Sequence, residues 1–230
     1  MSIRQYQKNI LFCICLLFLS GQVLADSFLD ARNALDVGNF QEAFKLFSPL
    51  AKQGDAYAQF EIGSLYYHGK GVSQDYSEAI KWYRPAAKKG VTTAQIMLGI
   101  MYFKGQGITQ DYKHAINWFR VAAKKGNANA QNQVGLMYDN GQGVSKDYSQ
   151  AASWYQLAAS QGMSDAQFNL GAMYFEGRGV SQDSKVAIKW FRLAAEQGHA
   201  QARKYLEQLG EVPPEPPKAH YPKKKRIIPA

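Results

Sequence analysis

The sequence predicts an all-α protein of stacked antiparallel helix pairs, an α-solenoid, because one 36-residue unit occurs four times in succession. A step of 36 residues carries Gly63 to an equivalent glycine in each later unit, and the same step relates all the tryptophans of the chain. These tryptophans are Trp82, Trp118, Trp154 and Trp190. Each unit also has apolar residues at helical spacing on both sides of a Gly-x-Gly segment. A helix pair of this kind buries its apolar surface by stacking on its neighbours.

The first unit, which starts at Asp55, predicts two helices joined by a tight turn. The first helix is expected over residues 56–68, where apolar residues recur from Ala58 onward at i, i+4, i+7 and i+8. Gly69 is suited to end that helix in a left-handed conformation. Asp75 is expected to cap the second helix, with Glu78 completing a capping box. Equivalent aspartates in the later units are therefore interpreted as caps, not as an array of catalytic carboxylates.

The beginning of the chain has the layout of a secretory signal peptide. Residues 1–25 contain a positive n-region, an apolar run of about ten residues and small residues before Asp26. The apolar run is shorter than the roughly 20 residues that a membrane span needs. We therefore expect cleavage near Ala25 and export to the periplasm or beyond the cell, with an uncleaved anchor as the alternative.

The rest of the chain is expected to divide into four segments. Residues 26–54 are similar to a shorter helical hairpin, and residues 55–198 hold the four full repeats. Residues 199–210 reproduce only the first helix of a repeat and are expected to cap the stack. Residues 211–230 are rich in proline and lysine, which predicts a disordered basic tail.

The composition favours a protein without catalytic activity, cofactor or metal. Both cysteines, Cys13 and Cys15, lie in the predicted signal segment, which excludes a disulfide framework in the processed chain. The four histidines occupy different positions of the repeat, and no two have the spacing of metal ligands. No Ser-x-x-Lys sequence of a penicillin-recognising serine enzyme occurs.

The repeat resembles the Sel1-like repeat, a relative of the tetratricopeptide repeat, and the shorter hairpin at residues 26–54 is similar to an ordinary tetratricopeptide unit. The four copies share Ala-Gln, Gly, Tyr, Gly-x-Gly, Asp, Trp and Ala-Ala at fixed offsets, and the resemblance covers about residues 28–209. It implies a right-handed superhelix that binds other proteins. Exported bacterial members are implied to act as signalling regulators, envelope-assembly factors or host-interaction proteins. A cysteine-rich branch is linked to penicillin binding, and this chain lacks the paired cysteines of that branch.

Residues that differ between repeats predict the binding surface, since a residue common to all repeats serves the repeat itself. Positions i, i+4, i+7 and i+11 of the first helices lie opposite the predicted core and are expected to line an inner groove. The predicted groove residues are Tyr57, Glu61, Ser64, His68, Met97, Ile100, Lys104, Gln133, Leu136, Asn140, Asn169 and Glu176.

Three of the groove residues, Met97, Ile100 and Leu136, are apolar where a polar face is expected. Such a cluster favours a peptide or helix bound in the groove, unless neighbouring residues or the tail cover it. The chain is thus expected to be a monomeric adaptor with a protein or peptide partner and no nucleic acid. On this interpretation, glutamates at Met97 and Ile100 would abolish partner binding and leave the fold intact.

The alternative function is binding to peptidoglycan or anionic lipid through the basic tail. A basic run of this kind is more often a solvated tail that has no partner. The basic residues of the tail are Lys218, Lys223, Lys224, Lys225 and Arg226.

Overall fold

A computed structural model describes residues 27–215, and all regular secondary structure within that range is helical. Eleven helices lie in these residues, which confirms the predicted all-α class. The predicted signal peptide and the basic tail residues from Lys218 onward lie outside the described residues. The helices are α1 (27–36), α2 (Phe40–Lys52), α3 (Ala56–His68), α4 (Tyr76–Lys88), α5 (Thr92–Lys104), α6 (Tyr112–Lys124), α7 (Ala128–Asn140), α8 (Tyr148–Ser160), α9 (Ser164–Glu176), α10 (Ser184–Glu196) and α11 (Ala200–Gln208).

The helices form two compact units, with the division after Lys125. In unit 1, α2 packs against α3, α3 against α4, α4 against α5 and α5 against α6, and Phe28 of α1 meets Phe47 of α2 edge to face. In unit 2, α7 to α11 pack in the same sequential manner. Because a short turn joins each pair of contacting helices, neighbours in sequence run antiparallel, as the repeat predicts.

The turn within each repeat uses glycine for two different reasons. Gly69 ends α3 in the left-handed conformation, with φ of 66°, and its N–H donates to the Leu65 carbonyl. Gly71 has φ of 72°, and a Cβ atom there would lie 2.5 Å from the backbone of Phe40 at the start of α2. The second glycine therefore lets the turn of one repeat approach the preceding hairpin.

The aspartate after this turn caps the second helix, as predicted. The Asp75 side chain accepts hydrogen bonds from the backbone N–H groups of Ser77 and Glu78, at 2.8 and 3.0 Å. The predicted capping box, however, is wrong in one respect, because Glu78 does not accept a hydrogen bond from the Asp75 N–H. The Asp75 N–H donates to the Tyr66 carbonyl at 3.0 Å, and Glu78 pairs with Lys81 instead of reaching back.

The two helices of each repeat cross at a glycine that contacts an aromatic ring. A Cβ atom at Gly63 would lie 2.7 Å from the Tyr83 ring, and one at Gly99 would lie 2.7 Å from the Phe119 ring. Both rings are about 1% exposed. The repeated glycine is therefore required for close packing of the helix pair.

The repeated tryptophans pack between successive helix pairs. Trp82 lies against the buried cluster of α1, α2 and α3, and Trp118 lies against that of α4 and α5. In unit 2, Trp190 lies against the cluster of α8 and α9. These three rings are half-buried and serve the stacking of repeats, so they do not form an exposed aromatic platform.

Gly99→Ala is expected to destabilise the protein by about 1 to 2 kcal/mol, measured by chemical denaturation. The added methyl group must displace the Phe119 ring, which outweighs the roughly 1 kcal/mol of helix propensity that alanine contributes. Thr93→Ala, at an exposed site of the same helix, is the matched control and should leave the midpoint nearly unchanged. Adding Phe119→Leu to Gly99→Ala should restore part of the loss. A midpoint at or above that of the wild type would contradict the packing role of Gly99.

Candidate binding surface

In unit 1, the predicted groove residues at the ends of the first helices are exposed. Tyr57, in the first turn of α3, is 63% exposed, which makes it the most accessible aromatic side chain of the described residues. His68 and Lys104 are exposed at the ends of α3 and α5. These three side chains are therefore available to a partner.

The middle of α3 is tied to neighbouring helices. Glu61 forms an ion pair with Arg32 of α1 at 3.1 Å, and its side chain is only 15% exposed. Burial raises the pKa of the Glu61 carboxyl, and the Arg32 guanidinium offsets part of that rise. Ser64 is half-buried beside Tyr83, and burial raises the pKa of the Tyr83 phenol. Glu61 is thus a largely buried carboxylate that is paired with Arg32, although it occupies a predicted groove position.

Met97 and Ile100 do not lie free on the surface, contrary to the sequence-based expectation. Both are half-buried, and Met97 packs against the buried cluster formed by α4 and α5. A glutamate at Met97 would place a carboxylate against apolar residues. The double glutamate variant is therefore expected to destabilise the fold as well as to alter the binding face. Ile100 remains the better probe of the face.

Sequence reasoning missed an aromatic cluster at the end of α3. The Tyr67 hydroxyl hydrogen-bonds the Gln106 side chain in the α5–α6 turn at 3.1 Å. The Tyr67 ring also lies edge to face with His68, with ring centroids 4.9 Å apart, and 5.1 Å from the ring of Tyr76. Tyr67 therefore fixes the surroundings of His68 and links two successive repeats.

In unit 2, three of the five predicted groove residues are half-buried, and Asn140 and Glu176 are exposed. The Asn169 side chain donates to Asn132 of α7 at 3.1 Å, and the Asn140 side chain donates to the Leu136 carbonyl at 2.9 Å. Leu136 packs against the buried cluster of α8 and α9. Gln133 is half-buried, and Glu176 is exposed.

Ala172, which occupies the groove position of the fourth repeat, is buried. It is 8% exposed and packs with Phe191 of α10 and Leu206 of α11. The sequence placed this position on a face opposite the core. The structure shows that the last helices cover it.

An ion-pair cluster in unit 2 also escaped the sequence analysis. Arg178, in the turn after α9, pairs with Asp139 at the end of α7 at 2.7 Å and with Glu176. Its guanidinium lies 5.3 Å from the Tyr148 ring centroid. Burial raises the pKa of the neighbouring Tyr155 phenol, and the Asp139 carboxylate adds to the rise. One available signal was that the equivalent positions of Asp139 in the other repeats are Tyr67, Phe103 and Phe175.

A cavity of about 270 Å³ lies between α8 and the following α9 and its turn. It forms where Ala152 replaces the isoleucine found at the equivalent positions of the other three repeats. The lining residues are Ser149, Ala152, Ser153, Gln156, Leu170, Tyr174, Gly179 and Val180. The lining mixes hydroxyl and amide groups with aliphatic carbon and contains no charged side chain.

Within residues 27–215, no group of three or more His, Cys, Asp or Glu side chains is arranged to hold a metal ion. The helices in the same range are too short or too polar to cross a bilayer.

Comparison with protein families identifies five consecutive Sel1 repeats. The Sel1 repeat model matches residues 34–55, 56–91, 92–127, 128–163 and 164–199. The chain belongs to the Sel1 repeat family. Proteins of this family are generally scaffolds for protein–protein interaction and generally lack catalytic activity.

Solved structures of Sel1 repeat proteins are similar to this chain and confirm the α-solenoid. A protective antigen with an SLR fold from uropathogenic Escherichia coli is 32% identical, with a TM-score of 0.79 over 86% of this chain and 44% of that protein. A Sel1 repeat protein from Oxalobacter formigenes is 37% identical, with a TM-score of 0.72 over 81% of this chain and 78% of that protein. The chain therefore spans less than half the length of the E. coli antigen. Comparison with curated proteins finds no match.

A third solved structure shares the fold alone. A putative Sel1 repeat protein from Klebsiella pneumoniae is 21% identical, with a TM-score of 0.50 over 82% of this chain and 93% of that protein. In the Sel1 repeats of our chain, the shared residues hold the helix pairs together, and the differences between repeats supply the surface described above.

The raised pKa of Glu61 predicts a pH dependence of stability. Between the ordinary carboxyl pKa of 4.5 and the higher value in the folded protein, the folded state binds more protons than the unfolded state. The free energy of unfolding should therefore fall as the pH rises through this window. Glu61→Gln should remove that part of the slope, and Arg32→Gln should extend it to higher pH.

Urea denaturation at a series of pH values between about 4 and 7 measures this effect. Glu207→Gln, at an exposed position of α11, serves as the control. Equal slopes for wild type and Glu61→Gln would show that the burial of Glu61 does not influence folding.

Proposed function

We propose that the protein is an exported, non-enzymatic scaffold that binds a protein or peptide through the first-helix face of unit 1. This face consists of exposed or half-buried residues of α3 and α5 that differ between the repeats. Its members are Tyr57, His68, Thr93, Ile100 and Lys104.

This proposal rests on the observation that the repeated residues stabilise the fold, whereas the exposed residues vary between repeats. The repeated residues of unit 1 are used in packing, as at Gly99 with Phe119, or in capping, as at Asp75. The side chains left accessible on the first helices are the ones that change from repeat to repeat. A surface that varies on a constant framework is suited to recognising one particular partner.

Unit 1 is favoured over unit 2 because its face retains an exposed aromatic anchor. Tyr57 presents a large amphipathic ring, a residue type enriched among the strongest contributors to protein interfaces. His68 and Lys104, at the other ends of α3 and α5, add exposed polar groups to the same face. In unit 2, Asn169 is hydrogen-bonded to a neighbouring helix and Ala172 is covered.

Export is the part of the proposal that depends on residues 1–25 alone. A chain processed at Ala25 would be smaller by the predicted signal segment and would begin at Asp26. Sequencing the amino terminus of the protein recovered from the cell envelope or the medium tests this part independently of binding.

Site-specific photo-cross-linking tests the binding surface. A photoreactive phenylalanine analogue is introduced into the full chain at Tyr57, Thr93 or Lys104, each of which is exposed and can accept a larger side chain. The protein is produced in its own cells and irradiated. We expect a discrete cross-linked protein partner from these positions, and Ile100→Ser should reduce its yield severalfold.

Matched controls carry the same analogue at Lys81 and Val121, exposed positions on the second helices of unit 1. These positions should give no such partner. Capture from the second-helix positions but not from α3 and α5 would show that the partner binds elsewhere. Equal capture from both sets would show that there is no preferred face.

A further inference from the structure

Unit 1 carries a row of five lysines at the ends of its second helices. Lys52 ends α2, Lys88 and Lys89 end α4, and Lys124 and Lys125 end α6. All five are exposed. We call this row the lysine edge.

The lysine edge is not neutralised by carboxylates of the described residues. None of its five ammonium groups forms an ion pair there, whereas Lys45 and Lys81 of the same unit pair with glutamates one turn earlier in their helices. In the surrounding windows 49–57, 85–93 and 121–125, the single carboxylate is Asp55. Asp55 is used as the cap of α3, where it accepts from the Ala58 N–H at 2.7 Å.

The other acidic groups of the second helices lie at their opposite ends. Asp75 and Asp111 cap α4 and α6. A helix of 13 residues is about 20 Å long, so these carboxylates are roughly two Debye lengths from the lysine edge at physiological salt. The edge therefore carries five positive charges against the single nearby carboxylate of Asp55.

Two of the lysines are held in place by the preceding turn. The Lys125 ammonium donates to the Gly90 carbonyl at 2.7 Å, and the Lys89 ammonium donates to the Gly54 carbonyl. Each ammonium has three N–H groups, so two remain to bind an anion. These contacts keep the charges on the row of turns.

Lysine at these two positions leaves a buried acceptor without a partner. The Oε1 atom of Gln95, a residue only 3% exposed, accepts no hydrogen bond, and the same holds for Gln59. An unpaired buried acceptor costs stability. A residue that lowers stability at an exposed site indicates a role other than folding.

Unit 2 shows the arrangement that satisfies this acceptor. Glutamines occupy the positions equivalent to Lys89 and Lys125, and their amides donate to the buried glutamine of the same repeat. Gln161 donates to Gln131 at 2.6 Å, and Gln197 donates to Gln167 at 2.8 Å. The fold therefore accepts glutamine at these positions, and lysine is not required for the turn.

Complementing the helix dipole does not account for the edge either. The second helices of unit 2 end in Ser160 and Glu196 at the position equivalent to Lys88. Residues 27–125 contain 13 Lys and Arg against 8 Asp and Glu, whereas residues 126–215 contain 7 against 9. The positive charge is thus a property of unit 1 and not of the repeat.

We propose that the lysine edge docks unit 1 onto a surface of anionic phospholipid headgroups. The five exposed lysines lie where the second helices end and the turns begin, a position suited to a layer of phosphates. Tyr57 lies three residues after Gly54 and is the most exposed aromatic residue of the described range. Tyrosine and lysine together are typical of the headgroup layer of a membrane. The five lysines are not part of the protein-binding face, so this proposal does not depend on that one; Tyr57 alone borders both surfaces.

Vesicle binding tests the proposal with the full chain. The edge variant replaces Lys88, Lys89, Lys124 and Lys125 by glutamine, and binding is measured by co-sedimentation with phosphatidylglycerol vesicles and with neutral phosphatidylcholine vesicles. Each lysine near an anionic surface contributes about fivefold to binding, so the edge variant should bind phosphatidylglycerol on the order of several hundredfold more weakly. Binding of the wild type should also weaken steeply with added salt.

The matched control removes the same charge elsewhere in unit 1, with glutamine at Lys45, Lys70, Lys81 and Lys113. A third variant replaces Lys223, Lys224, Lys225 and Arg226 of the tail. All variants keep residues 1–25, so the difference between anionic and neutral vesicles isolates the effect of charge. Thermal unfolding should show that the edge variant is at least as stable as the wild type.

A large loss of phosphatidylglycerol binding in the edge variant, with the control nearly unchanged, supports the proposal. Equal losses in the edge and control variants would overturn it, because only net charge would then matter. Loss confined to the tail variant, or no binding of the wild type, would also overturn it. Tighter binding of a glutamate-rich peptide than of vesicles at equal charge concentration would assign the edge to an acidic protein instead.

Discussion

The contact between a glycine of the first helix and an aromatic ring of the second is the constraint on which the rest of each repeat depends. At Gly99, a Cβ atom would lie 2.7 Å from the Phe119 ring, so the two helices pack as closely as a missing side chain permits. This contact fixes which residues of α5 face α6. It thereby leaves Thr93 and Lys104 outside the core, where a change of residue has little effect on folding.

A second constraint joins successive repeats through a buried glutamine. Gln59 and Gln95 in unit 1, and Gln167 in unit 2, donate to a carbonyl near the end of the preceding second helix. The Nε2 group of the glutamine makes the same hydrogen bond in each case. Its Oε1 atom accepts a hydrogen bond in unit 2 and has no donor in unit 1. The repeat thus tolerates a local loss of stability at the row of turns that carries the lysine edge.

The sequence predicted what each repeat does with its own residues. The period and the apolar spacing placed α3 at Ala56–His68, and Asp75 was correctly interpreted as a cap. The side-chain half of the capping box was wrong because the Asp75 N–H is already bonded to the Tyr66 carbonyl. That bond depends on the fold of the whole turn, which no local pattern reveals.

Contacts between repeats were beyond sequence reasoning because they depend on which side chains the stacking brings together. Tyr67 meets Gln106, and Asp139 meets Arg178, each across 39 residues. Both contacts occupy the same pair of positions in the repeat, with an aromatic–amide pair in one unit and an ion pair in the other.

Both accessible surfaces of unit 1 follow from the stacking of helix pairs. The first-helix face lies along α3 and α5, whereas the lysine edge lies on the turns that end α2, α4 and α6. Tyr57 is in the first turn of α3 and borders both. The two surfaces consist of otherwise different residues. A charge change at Lys88 should therefore affect binding to the anionic surface, and a packing change at Ile100 should affect binding to the protein partner, independently of each other. A scaffold with these properties would be held at an anionic surface by one set of residues and would select its partner with the other.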